Sequence, residues 1–140
     1  MDHETTVPVL VRALYEGSST PNPEHMLEQV LFSDPLVRVS GRRNVERMFR
    51  RLNGIFAQTR VSELKLEDAT AEYSRWSFDV HYGRKPGAKP IHFHSHIEVT
   101  SQGDQIKSIT EHWHKPYELR GGAKGLIPRF VRASLGWVVS

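Results

Sequence analysis

Apolar positions recur with helical spacing in the first part of the chain and alternate from about residue 59 onward. Val7, Leu10, Val11 and Leu14 stand at i, i+3, i+4 and i+7, predicting an amphipathic helix from 7 to about 16 with Pro8 in its first turn. Gly17 to Pro21 ends it, and Asn22 can cap a short second helix opened by Pro23, with Met26, Leu27, Val30 and Leu31 on its inner side. Phe32-Ser33-Asp34-Pro35 breaks that helix, since a residue before proline is pushed out of the helical region. A short strand, Leu36 to Val39, and then Ser40-Gly41 lead into the clearest helix, with Val45, Met48, Phe49, Leu52, Ile55 and Phe56 on one stripe. Arg43, Arg47, Arg50 and Arg51 occupy its other face, which reads as a solvated surface. Arg60 to Leu66, Glu72 to Tyr82, Ile91 to Thr100 and Gln105 to His114 follow as four period-two strands, separated in part by turn chemistry at Gly83 to Pro90 and Ser101 to Asp104. Helices followed by adjacent antiparallel strands predict an α+β domain whose curved antiparallel sheet wraps around the N-terminal helices.

The third of these strands carries the most pointed pattern. In Ile91-His92-Phe93-His94-Ser95-His96-Ile97-Glu98-Val99, alternation puts His92, His94, His96 and Glu98 on one face and Ile91, Phe93, Ser95, Ile97 and Val99 on the other. Four titratable groups in a row are costly to bury unpaired, so their face must meet solvent, a partner, a metal or a polar cavity. Alternation alone does not choose the face. Hydrophobic patterning favours burying Ile91, Phe93, Ile97 and Val99.

Composition narrows the options. The 140-residue chain is long enough for one domain with a real core, and it contains no cysteine, so any metal would be held by His, Asp or Glu. No apolar run approaches the ~20 residues of a membrane span, and Met1-Asp2-His3-Glu4 lacks the pattern of a signal peptide, so a cytoplasmic location is expected. Residues 1–114 carry 14 Lys and Arg against 15 Asp and Glu, whereas residues 115–140 carry 5 against 1. That balance offers no basic stripe for nucleic acid. The positive tail, residues 117–140, is a C-terminal amphipathic extension with Ile127, Phe130, Val131, Leu135 and Val138 on one side of a helix opened by Pro128. Self-packing over a pocket or onto a second subunit is preferred for it over docking on a protein partner or on a membrane surface.

Phe32-Ser33-Asp34-Pro35, Gly41 six residues beyond Pro35 before an amphipathic helix, and a final strand of the form Ile106-x-x-Ile109-x-Glu111-x-Trp113 give residues 7–116 a specific resemblance. In order and spacing the chain resembles the nuclear transport factor 2-like superfamily, within its SnoaL-like and ketosteroid-isomerase-like branch, and residues 1–116 are taken as that domain. The resemblance implies a homodimer with a cone-shaped pocket for a small apolar molecule, and no cofactor or metal. In the isomerases an acid-Asp-Pro segment supplies the general base, which places that role on Asp34, while a tyrosine and a protonated aspartic acid form the oxyanion hole. The position matching the second acid is His96, and Tyr15, the one tyrosine of the first helix, does not align with the family tyrosine. Steroid isomerisation itself is therefore not expected. The same alignment lines the pocket with Tyr15, Trp76, Phe78, His92, His94, His96, Ile109, Glu111 and Trp113, and the histidines are expected inward, their apolar neighbours covered by dimerisation.

Those residues allow several chemistries. Asp34 is a base or merely a turn former. A regular turn at Ser101 to Asp104 would set His94 near Glu111 and Glu98 near Lys107, with His112 and His114 on the face away from His94. A carboxylate-held histidine suits acid-base catalysis, so His94 or His96 is the candidate acid or oxyanion donor beside Asp34; the same pairs are also ordinary cross-strand salt links. A His-x-His metal site completed by Glu111, Glu98 or Asp34 is the lesser reading. The leading expectation is a cofactor-independent isomerase, dehydratase or cyclase acting on a carbonyl-type substrate. Its rival is a non-catalytic ligand-binding or association module that docks through the basic tail.

Overall fold

The computed structural model describes residues 1–17, 19–83 and 91–114. The expected C-terminal helix and most of the 83–90 loop lie outside the described residues. Helix α1 spans His3–Glu16, a 3₁₀ turn Pro23–His25, β1 Met26–Ser33, β2 Arg38–Ser40, α2 Arg42–Ile55, β3 Gln58–Ala69, β4 Tyr73–Gly83, β5 Ile91–Gln102 and β6 Gln105–Trp113. The six strands form one sheet in the order β2-β1-β6-β5-β4-β3. Every neighbouring pair is antiparallel except β1 with β6, which run parallel. Helix α1 packs against β3 and α2 against β1. The α+β class and the curved sheet around N-terminal helices are as the periodicity predicts. Among the described residues no helix is long and apolar enough to cross a membrane.

Helix α1 starts four residues earlier than the apolar spacing suggests, because Asp2 caps it by accepting from the Glu4 amide at 3.1 Å and the Thr5 hydroxyl at 2.7 Å. Pro8 therefore sits in the second turn. Residues Val7, Leu10, Val11, Leu14 and Tyr15 are buried. On α2 the inner stripe is Val45, Met48 and Phe49, and Arg43, Arg47, Arg50 and Arg51 are exposed.

The expected second helix does not form. Asn22 caps and Pro23 opens as predicted, but the turn lasts three residues and the chain then enters β1. The pairing of β1 with β6 slips between Met26 and Leu31, and its buried residues are Met26, Val30 and Phe32. Residues four apart share a face in a strand as they do in a helix, so Met26 and Val30, each followed by a leucine, imitate a helical repeat.

A second irregularity governs the faces of the sheet. The β5–β6 hairpin turns on Gly103, at φ 62°, and pairs Gln102 with Gln105, a tighter loop than the Ser101 to Asp104 turn expected. A further bulge between Thr100 and Ser101 leaves Lys107 without an opposite residue, so Ile97 faces Glu111 and His96 faces His112. Relative to the regular turn the register has moved by three residues, an odd number, which exchanges the faces. Ile91, Phe93, Ser95, Ile97 and Val99 are buried together with Ile109 and Glu111. His92, His94 and His96 lie on the outer face, a reversal of the inward expectation. The pairs His94–Glu111 and Glu98–Lys107 do not form, and His112 and His114 share the outer face with His94.

At the end of α1, Gly17 adopts φ 65°, and the Asn53 side chain of α2 donates to the Leu14 carbonyl at 3.0 Å. A Cβ on Gly17 would lie 2.9 Å from Asn53 Nδ2. Gly17→Ala combines a left-handed backbone penalty with loss of this interhelical cap, and should lower the unfolding free energy by roughly 1–2 kcal/mol in urea denaturation. An unchanged midpoint would show that the contact contributes nothing.

Candidate functional site

Glu111 is the centre of the interior. It comes from β6 on the buried face, and among the described residues its carboxylate meets no cation within hydrogen-bond reach but three donors. Tyr15 Oη from α1 donates to Oε1 at 2.5 Å. Ser95 Oγ from β5 and the indole Nε1 of Trp113 donate to Oε2 at 3.1 and 2.9 Å. Around this group stands an aromatic shell. The Tyr15 ring lies 4.7 Å from Phe49 and 5.4 Å edge-on to Phe78, Phe93 lies 4.7 Å from Trp113, and Tyr82 sits 5.9 Å from Phe93.

Burial and the neighbouring charge of Asp34 push the Glu111 carboxyl up to about 7, against the lowering effect of its three hydrogen bonds. Burial also raises Asp34, opposed by two backbone amides, Leu36 N and Val37 N, which both reach Oδ1 at 2.8 Å. With the Asp34 amide donating to the Val37 carbonyl at 2.9 Å, Asp34 builds the turn between β1 and β2. It is half-buried, and among the described residues Oδ2 has no hydrogen-bond partner. Tyr15 and Tyr82 are both raised well above the usual phenol value by burial, and Glu111 and Asp34 add to the effect in each. Two tyrosines and two carboxyls thus share one electrostatic interior. Beside it a cleft of about 400 Å³ opens between the end of α1 and α2, lined in part by Leu14, Thr20, Phe49, Arg50 and Asn53.

Of the residues expected to line the pocket, Tyr15, Phe78, Glu111 and Trp113 come together here. Ile109 is buried as an apolar neighbour on the same strand. Trp76 is buried too, but its Nε1 donates to Ser74 Oγ at 2.8 Å, and Ser74 with Ser101 clamps the buried His3 ring at 2.7 and 2.8 Å. His92, His94 and His96 are absent from the interior, so none can serve as acid or oxyanion donor to a ligand there. Ser95 was missed by the sequence reading, although a hydroxyl at the centre of an otherwise apolar strand face is a detectable signal. Tyr82 was missed because nothing in its local pattern marks it.

The outer face instead carries a continuous imidazole row. His81 stacks on His92 at 4.4 Å, His94 approaches His114 at 4.7 Å, and His96 stacks on His112 at 4.6 Å. Asp79 Oδ1 meets His94 Nδ1 at 2.7 Å and lies 3.2 Å from His92 Nε2, the latter as an ion-pair distance without hydrogen-bond geometry. Burial tends to raise the Asp79 carboxyl, but its histidine partners hold it below the usual value.

No protein-family model and no curated protein matches the chain. Solved structures do. A protein with a ketosteroid isomerase-like fold from Catenulispora acidiphila, in complex with trimethylamine, is 14% identical with a TM-score of 0.67 over 82% of this chain and 90% of its own. The chain has the nuclear transport factor 2-like fold. SalBIII, an epoxide hydrolase/cyclase-like enzyme of pyran ring formation in the polyether salinomycin, shares it at 14% identity and TM-score 0.66, over 81% and 91%. A candidate polyketide cyclase of Pseudomonas putida is also 14% identical, with TM-score 0.67 over 82% and 93%. At such identity the likeness establishes architecture, since one scaffold hosts many functions.

The raised Glu111 carboxyl links stability to pH. The folded chain keeps a proton that the unfolded chain releases between its ordinary value of 4.5 and about 7, so this group stabilises the fold at acid pH and that stability is lost as pH rises through 7. The full span amounts to roughly 3 kcal/mol. In Glu111→Gln the amide can donate to Tyr15 and accept from Ser95 and Trp113, as the protonated acid does. Relative to the parent chain, the variant should gain roughly 2–3 kcal/mol between acid and mildly alkaline conditions in paired denaturant titrations. Parallel pH curves for the two proteins would show that Glu111 is not perturbed.

Proposed function

We propose that the chain is a small-molecule pocket protein whose interior performs cofactor-free proton transfer on an apolar carbonyl-type ligand. The observation that carries this reading is Glu111: a buried carboxyl raised to about 7, held by Tyr15 and electrostatically coupled to a second raised carboxyl, Asp34. Two acids whose environments separate their proton affinities divide the labour of acid and base. Asp34, the less perturbed, is the base that takes the proton beside the carbonyl and returns it at a neighbouring carbon. Glu111, when protonated, donates through Oε1 to Tyr15 Oη, which leaves the tyrosine hydrogen free to point at the ligand oxygen. Ionised Glu111 captures that hydrogen instead. Tyr15 and Glu111 therefore replace His94 and His96 in the donor role, and the cleft beside Leu14 and Phe49 is the approach route.

The fold shared with a cyclase-like enzyme and a candidate polyketide cyclase favours this class of chemistry over a purely associative module. The test is deuterium exchange beside the carbonyl of cyclic ketones, followed by NMR in heavy water. Asp34→Asn, which can keep the turn through its amide oxygen, should slow exchange by about 10²–10⁴. The parent rate should fall above pH about 7 as Glu111 loses its proton, and Glu111→Gln should flatten that fall. Exchange unaffected by Asp34→Asn in a folded protein, checked by circular dichroism, would remove Asp34 as the base.

A further inference from the structure

Six of the eight histidines, from β4, β5 and the end of β6, lie on the outer sheet face, and one part of that row is organised differently from the rest. His96 and His112 are direct cross-strand partners, and Glu98 is two residues along β5. Each offers one ligand atom, and these atoms lie within 4.8 Å of one another, a separation that small side-chain rotations reduce to the spacing around a tetrahedral ion. His112 Nε2 is 2.8 Å from Glu98 Oε1, so imidazole and carboxylate already converge. The groups around them orient the three. Tyr73 Oη donates to the other oxygen of Glu98 at 3.1 Å, and His114 Nε2 meets His96 Nδ1 at 2.9 Å, the kind of contact that sets the tautomer and tilt of a ligating ring.

We propose that His96, His112 and Glu98 form a binding site for a zinc-class divalent ion on the outer face of the sheet. Two imidazoles and one carboxylate are the donor set of open zinc centres, which keep a fourth position for water or an incoming ligand. Two adjacent strands supply all three donors at fixed register, so the site needs no loop to close. Arg75, the cross-strand partner of Glu98 on β4, has a carboxylate of its own, with Nε 3.4 Å from Glu67 Oε1. His112 and Glu98 are 44% and 38% exposed, which leaves the site open to an ion from solution. The sheet separates this site from Glu111 and Asp34, so it stands or falls independently of the proposed interior chemistry.

The experiment is calorimetric titration of the metal-stripped full chain with zinc near neutral pH, with native mass spectrometry for stoichiometry. One ion per chain is expected. His112→Ala and Glu98→Gln should each weaken binding by roughly tenfold or more, whereas His81→Ala, on the same face but outside the trio, should leave it unchanged. Zinc should also raise the melting temperature of the parent chain and not that of His112→Ala, and apo melting curves show whether each variant is folded. The proposal is overturned if zinc does not bind, if all three variants weaken equally, as for diffuse histidine binding, or if binding survives His112→Ala but is lost in His94→Ala.

Discussion

The register of the β5–β6 hairpin is the constraint on which both chemical faces of this protein depend. A strand has only two faces, so an odd slip exchanges every side chain between core and solvent. The tight turn at Gly103 and the bulge at Lys107 together produce such a slip relative to a regular hairpin. As a result Ser95, Ile97, Glu111 and Trp113 point inward together, and His96, Glu98 and His112 point outward together. Had β6 paired regularly, Glu111 would have faced His94 across the strands. An imidazole-carboxylate pair would then have stood where a lone carboxyl now does.

That lone carboxyl shapes the interior. A charged carboxylate buried without a cation is expensive, and the structure meets the expense in two ways. Three donors on three different elements, α1, β5 and the end of β6, satisfy its oxygens. The remaining penalty is met by holding the proton at pH values where a free glutamate has lost it. The same hydrogen bonds tie α1 to the middle of the sheet, so the group that is awkward for stability also fixes helix orientation. Residues that weaken a fold while being fully hydrogen-bonded are a common mark of a working site.

The outer face solves a different problem. The apolar side of β5 is spent on the core, so its polar side has to tolerate close-packed imidazoles. It does so through stacking, shared carboxylates and partial exposure. One sheet thus separates acid-base groups by a single backbone thickness: Glu111, Tyr15 and Tyr82 within, the row of six imidazoles with Asp79 and Glu98 without. Hydrophobic patterning of Ile91, Phe93, Ile97 and Val99 predicted this division correctly, and the alignment-based placement of the histidines did not, because it assumed a regular turn.

Sequence by itself determined the elements whose signals are local. The two helices α1 and α2 follow from apolar spacing and the arginine face, the four long strands from alternation, and the Asn22 and Pro23 start from capping chemistry. It also marked Tyr15, Phe78, Glu111 and Trp113 as interior candidates, and Asp34 as either base or turn former. Tertiary structure decided what depends on pairing between distant segments. Strand β1 looks helical until its bulged pairing with β6 supplies backbone partners, and the faces of β5 and β6 are undefined until bulge and turn set the register. The Tyr15–Glu111 bond joins residues 96 positions apart, and the donors of Glu111 come from elements that no local window spans. Periodicity records which residues share a face; only the packed sheet decides which face is inside, because that choice is made by the sum of burial across all its strands.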